Sequence, residues 1–282
     1  MTIDTLAVVG AGTMGQGIAQ LGVQHGLPTV LFDLSATALE KAAAGIAAGL
    51  NKLVEKGRLS ADECAAALAR LTVSTDPGAV QADCIIEAVV ERLDVKHQLF
   101  EQLAAQNGPA TILASNTSSL PITQLAAPVP GPERVVGLHF FNPAPLMPLV
   151  EIISGAATAP AVADAVEALA RRLGKTPVRA ADAPGFIVNR VARHYYVESL
   201  KIVEEQAAPF EAVDELLEAS GFKMGPFRLM DLIGVDTNFS VTSAMYASFH
   251  QDAKFRPSRV QQQKVDAGHH GRKTGRGFYQ YP

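Results

Sequence analysis

As far as about Ala180, short unbroken apolar runs of strand length alternate with longer stretches whose apolar residues recur at helical spacing. The runs are Leu6 to Val9, Thr29 to Phe32, Leu71 to Val73, Cys84 to Ala88, Thr111 to Ala114, Val135 to Phe140, Leu149 to Ile153 and Val178 to Ala180. Strands alternating with helices predict a mostly parallel sheet covered on both faces, with ligands at the carboxyl ends of the strands. Val135 to Phe140 and Leu149 to Ile153 are joined by a Pro-rich connection too short for a helical crossover, so this pair is predicted antiparallel. Ser35 to Ser60 is alanine-rich and predicts a helical excursion over Ala36 to Glu55, ending near Gly57.

After Asp182-Ala183-Pro184-Gly185 the period becomes purely helical. Helices are predicted over Phe186 to Glu205, Phe210 to Ala219, Phe227 to about Phe249, and from Pro257 onward. Pro209, Pro226 and Pro257 stand where first-turn prolines are tolerated. The chain therefore divides into an α/β domain over 1–183 and an all-α domain over 184–282. A helical domain with apolar stripes often supplies a subunit interface, so a homodimer is expected.

The first run enters Gly10-Ala11-Gly12-Thr13-Met14-Gly15, and the second ends at Asp33. Each residue type here has a physical task. Gly10 permits the tight strand-to-helix turn, Gly12 lets the backbone approach a pyrophosphate, and Gly15 lets the helix pack closely on the strand. The unpaired N–H groups of the helix start then meet the phosphates without a basic side chain. A carboxylate at Asp33 accepts hydrogen bonds from a ribose diol and repels a 2′-phosphate, which predicts NAD over NADP. A glycine turn serving packing alone leaves Asp33 unexplained. The first domain is accordingly of Rossmann type.

At 282 residues and 48% hydrophobic, the chain is long and apolar enough for a large core. A net charge of −4 with no basic run argues against nucleic acid or a membrane surface as the main partner. Met1-Thr2-Ile3-Asp4 runs almost directly into the first strand, so no targeting segment is expected, and no apolar stretch is long enough for a bilayer. The two cysteines, Cys64 and Cys84, lack metal spacing and suit a reducing compartment, consistent with the cytoplasm. No metal is expected.

Among seven histidines, His139 stands at the carboxyl end of a strand, with Glu151 in the next one. A carboxylate beside an imidazole stabilises the protonated ring and fixes its tautomer, which suits a base taking a proton from an alcohol. His25, His97, His194, His250, His269 and His270 lie in helical or terminal polar stretches and read as solvated. Asn116-Thr117-Ser118-Ser119 offers hydroxyls at another strand end, though it also fits a helix cap. Asn189 opens the helical domain, where capping or packing would account for it.

Taken together these strings resemble the short-chain L-3-hydroxyacyl-CoA dehydrogenases over nearly the whole chain. They are Gly10 to Gly15, Glu87-Ala88-Val89-Val90-Glu91, Ser115 to Ser119, His139-Phe140-Phe141-Asn142-Pro143, Pro184 to Arg190, Met224-Gly225-Pro226 and Gly271 to Gly275. The resemblance implies His139 as general base, Glu151 as its partner, and Ser118 and Asn189 as groups that bond the 3-oxygen or position the acyl chain. It implies cofactor contacts at Ser118, Asn142, Glu91, Lys96 and Lys273, with a structural ion pair as the alternative for Glu91 and Lys96. Lys52 and Lys56 lie on the excursion that meets coenzyme A in such proteins, although a solvated helix face explains them equally well. Gly49 stands where the family has a serine, and Lys223 where a proline is expected. The implied reaction is NAD-dependent oxidation of a (3S)-3-hydroxyacyl-CoA, with 3-hydroxybutyryl-CoA as default substrate. Val188 to Tyr196 and Asp236 to Phe239 look like the phenylacetate-pathway branch, which oxidises 3-hydroxyadipyl-CoA, and there Arg190 or Arg193 would pair with the distal carboxylate. There are two rivals: one of a different class, a crystallin-like NAD-binding structural protein, and the related 3-hydroxyacid dehydrogenases, which rely on a lysine. The intact set Ser118, His139, Glu151 and Asn189 opposes the first, and assays on free acids against thioesters separate the second.

Overall fold

The computed structural model describes residues 1–282, which form two compact units, Met1–Ala183 and Pro184–Pro282. The first runs β1 (Leu6–Val9), α1 (Thr13–Gln24), β2 (Thr29–Phe32), α2 (Ala36–Glu55), α3 (Ala61–Leu68), β3 (Leu71–Ser74), β4 (Cys84–Glu87), α4 (Leu93–Gln106), β5 (Ile112–Ser115), α5 (Ile122–Ala126), β6 (Val135–Phe140), β7 (Leu149–Ser154), α6 (Pro160–Arg172) and β8 (Thr176–Ala181). The strands form one eight-stranded sheet in the order β3-β2-β1-β4-β5-β6-β7-β8. Every pairing is parallel except β6 with β7, which is antiparallel as the short Pro-rich connection predicts. Chain order reverses on either side of β1, and in such sheets ligands bind at that switch point.

All residues of β1 are buried, as are all those of β4 and β5, because helices cover both faces of the central sheet. Ile18, Leu21 and Val23 of α1 pack with Leu39, Ile46 and Leu50 of α2 in the same core. The α2 excursion has the predicted bounds: Ser35 caps its start through Ala38 N, and Gly57 follows its end at φ 64°. The short helix α3 was not anticipated, although Ser60 and Glu63 form a capping box whose Ser-x-x-Glu spacing is visible in the sequence.

The second unit contains α7 (Val188–Glu204), α8 (Phe210–Ala219), α9 (Pro226–Ile233), α10 (Val235–Ser248) and α11 (Arg259–Asp266). Its core joins Tyr196, Leu200, Val213, Phe227, Met230, Val235 and Phe278. The single helix expected over Phe227 to Phe249 is two. Gly234 between them takes φ 107°, a conformation that ends α9 and turns the chain, and Val235 N then donates to His270 O at 3.1 Å. Asp231, 1% exposed, accepts from Phe278 N, Tyr279 N and the Tyr281 hydroxyl, so a buried carboxylate holds the C-terminal segment. No helix is long and apolar enough to cross a membrane.

Candidate active site

At the carboxyl end of β1 the three glycines face different surroundings. A Cβ on Gly10, at φ 105°, would come within 2.6 Å of Ala88 O, and one on Gly15 within 1.7 Å of Gly10 O. At Gly12 nothing lies within 4 Å. The outer two glycines are thus required by packing, while the middle one keeps open the space a pyrophosphate needs. No side chain caps α1 and its first turn holds no acid, so its N–H groups and positive dipole end remain available to an anion.

Asp33 closes β2, where its Oδ2 accepts from Ala11 N at 2.8 Å and its Oδ1 from Ser35 N at 2.9 Å. A carboxylate has lone pairs beyond these two, enough to receive a ribose diol. A cavity of about 600 Å³ opens beside it, lined by Gly10, Gly12, Phe32, Val80, Val89 and Leu99 among others. These residues fit NAD. Replacing Asp33 with Ala is expected to raise the KM for NAD about tenfold, the loss of one charge-assisted hydrogen bond. The KM for NADP should fall, and steady-state kinetics with both nucleotides would reveal a failure of either change.

His139 and Glu151 are cross-strand partners in the β6–β7 pairing, which turns both side chains to the same face of the sheet. His139 Nδ1 lies 2.8 Å from Glu151 Oε2, with the residues 6% and 1% exposed. When Nδ1 carries its proton toward Glu151, Nε2 is the basic nitrogen of the ring. Phe141 lies against the imidazole, its ring centroid 4.5 Å away. Of the other histidines, His194 and His250 are exposed, in keeping with the solvated reading, whereas the rest are half-buried. His25 and His97 are half-buried beside the carbonyls of Leu21 and Gln124, and the His194 ring stacks on Phe255.

Between these two places lies a charged network. Lys96, 1% exposed, reaches Glu87 Oε1 and Oε2 at 2.7 and 2.8 Å, and Glu91 Oε2 at 2.9 Å. The Ser115 hydroxyl donates to Glu87 at 2.6 Å. Glu91 accepts from the Thr117 hydroxyl at 2.6 Å, from Ser118 N at 2.9 Å and from the Ser119 hydroxyl at 3.0 Å. Burial alone would raise the Glu91 carboxyl, but the Lys96 charge and these hydrogen bonds outweigh it and hold it below its ordinary value. Lys96 is therefore committed to two carboxylates below the surface, and Glu91 carries the network to the Ser118 loop. Glu87 and Ser115, fully buried, were not singled out from the sequence, although each ends a strand on the side where ligands bind. Asn116 also serves this region: its Oδ1 accepts from Phe140 N at 2.9 Å, tying the β5 end to the His139 strand.

Residues 5–183 match the family model for the NAD binding domain of 3-hydroxyacyl-CoA dehydrogenase, and residues 185–281 match that for its C-terminal domain. The chain belongs to the 3-hydroxyacyl-CoA dehydrogenase family. It is 50% identical over its full length to 3-hydroxyadipyl-CoA dehydrogenase of Escherichia coli (strain K12), although it spans only 60% of that protein. It is 41% identical, again over its full length, to a probable 3-hydroxybutyryl-CoA dehydrogenase of Bacillus subtilis (strain 168), of which it covers 98%. A crystal structure of (S)-3-hydroxybutyryl-CoA dehydrogenase from Ralstonia eutropha superposes with a TM-score of 0.96 at 41% identity, each chain covered in full.

Elsewhere in the chain, Lys52 and Lys56 are exposed on and just after the last turn of α2. Gly49 turns toward α1 instead, since a Cβ there would meet Gln20 Oε1 at 2.5 Å. In the helical unit Lys273 Nζ bonds Asp236 at 2.7 Å, and Asn189 lies in the first turn of α7. Arg193 is a core residue, not a surface cation. Its Nη1 donates to Asn238 O and Thr242 Oγ1, its guanidinium covers the Tyr196 ring, and burial lowers its pKa to about 10. Arg190, by contrast, is exposed, 5.0 Å from the Phe249 ring centroid.

Proposed function

We propose that this chain oxidises (3S)-3-hydroxyacyl-CoA thioesters to 3-oxoacyl-CoA with NAD, and that 3-hydroxybutyryl-CoA is its default substrate. The observation that carries the reading is the buried His139–Glu151 pair, 2.8 Å apart, in a unit whose Gly10 to Gly15 turn and Asp33 fit the cofactor. NAD, when bound, supplies the hydride acceptor. Glu151 holds the Nδ1 proton, and Nε2 of His139 takes the proton of the 3-hydroxyl as C3 is oxidised. Ser118 and Asn189 bond the 3-oxygen and keep it in place while charge moves, the kind of preorganised donation that favours a transition state. Glu91, Asn142 and Lys273 contact the cofactor, and Lys96 acts on it through Glu91. Lys52 and Lys56 meet coenzyme A phosphates, a role their exposure permits. The helical unit joins two copies into a homodimer, and the protein works in the cytoplasm.

A second reading, 3-hydroxyadipyl-CoA as substrate, is favoured by the 50% identical relative of that name and by the exposed guanidinium of Arg190. Following NADH absorbance with C4, C6 and dicarboxylic 3-hydroxyacyl-CoA thioesters separates the two. The default reading expects kcat/KM for the C4 thioester to exceed that for the dicarboxylic one by about tenfold or more, and the reverse order establishes the second. In that case Arg190→Gln should abolish the dicarboxylic preference. No NADH with any thioester would reject the proposal.

A further inference from the structure

Lys175 lies between α6 and β8 and is 8% exposed. Its Nζ donates to Ala144 O at 2.6 Å and to Met147 O at 2.9 Å, two neutral acceptors, and none of the ion pairs includes it. Burial lowers its pKa from the ordinary value. An ammonium withdrawn from water without a counter-charge costs stability, so its presence calls for a reason other than holding the fold together.

The carbonyls it holds belong to the turn that joins β6 to β7, the strands of His139 and Glu151, and that carries Asn142. The outer part of this turn has little apolar anchorage, since Leu146 is 73% exposed and Met147 38%. The turn also meets α1, the cofactor helix. A Cβ on Gly17 would come within 3.0 Å of Pro145 Cδ and 3.1 Å of Ala144 Cβ, so the missing side chain lets turn and helix touch. The turn is thus in contact both with one buried cation and with the helix whose start fits a pyrophosphate. Since β6 and β7 are paired in register at His139 and Glu151, a displacement of the turn passes directly into that pair.

We propose that Lys175 is a positioning residue: it fixes the β6–β7 turn against α1 and so sets the imidazole of His139 relative to the cofactor site. Its kinetic consequence rests on the dehydrogenase reading above, whereas its geometric consequence does not.

The test uses the full chain with Lys175→Met, which keeps the stem without the donors, and Lys175→Arg, which restores the charge. Three quantities are measured: the NMR signal of the His139 Nδ1 proton, the thermal transition, and kcat and KM for 3-hydroxybutyryl-CoA oxidation. In folded Lys175→Met the imidazole signal should shift or broaden and kcat should fall about 10- to 100-fold, the effect of an ångström-scale misplacement. Lys175→Arg should recover most of both. A Lys175→Met protein with the parent's imidazole signal and kcat overturns the proposal, as does an equal loss in the Arg variant. Should Lys175→Met fail to fold, Gly17→Ala presses on the same turn from α1. Parent-like behaviour there overturns the proposal, and a moved imidazole signal with lowered kcat supports it. A parent protein inactive on every thioester refutes the dehydrogenase reading, while the imidazole signal still decides the positioning.

Discussion

His139→Gln is expected to lower turnover of 3-hydroxyacyl-CoA by about 10²- to 10⁴-fold, the usual contribution of a positioned general base. Glutamine approximates the reach of the ring and keeps a donor for Glu151, yet it has no nitrogen that takes a proton near neutral pH. NAD affinity should change little, because the Gly10 to Gly15 turn joins β1 to α1 and Asp33 follows β2, all apart from β6. Cofactor binding followed by fluorescence and turnover followed by NADH absorbance separate the two effects. Glu151→Gln tests the same pair from the other side, since an amide that donates to Nδ1 moves the ring proton to Nε2 and removes the base. Turnover that survives His139→Gln would exclude the imidazole from proton transfer.

Lys96→Met carries the largest expected stability effect. It strips Glu87, a fully buried carboxylate, of the ammonium 2.7 and 2.8 Å away, and breaking such a pair from one side typically costs about 3–5 kcal/mol. The loss should depend on pH in a defined direction. Glu91 loses the Lys96 charge that helps hold its carboxyl low, so the part of the deficit that comes from Glu91 shrinks as pH falls. In the parent its pKa is held below 4.5, so its contribution is present above that value and fades as pH falls through the depressed one. Adding Glu87→Gln to Lys96→Met should return part of the stability, because the uncompensated charge is gone. Urea denaturation at about pH 3.5 and 7, following the Met1–Ala183 transition, measures each of these. A Lys96→Met protein as stable as the parent at both values would show that the pair contributes nothing net.

Several features were legible because they rest on residues close in sequence. The Gly10 to Gly15 turn shows the two glycines that packing demands and the one that leaves open space, as the spacing implied. The helix bounds Ala36–Glu55 and Phe210–Ala219 follow from periodicity and punctuation. The antiparallel β6–β7 pair follows from a connection too short to cross over. Gly234 marks where local reading stopped short: both flanks fit one helical pattern, and a single glycine at φ 107° divides it. Arg193 shows a different limit, since its helical position gave no sign that Asn238, Thr242 and Tyr196 enclose it.

The amino-acid sequence by itself determined the layered α/β unit, the helical unit, the glycine turn with its acid, and the candidacy of His139 and Glu151. Periodicity, turn chemistry and strand length are governed by neighbours along the chain, so they survive without coordinates. Only the tertiary structure decided that the buried pair Glu87 and Lys96 joins the exposed Glu91 in one network, that Lys175 holds the turn behind His139, and that Arg193 belongs to a core. Desolvation and charge pairing depend on which distant segments meet, and no local pattern records the depth at which a charge comes to rest.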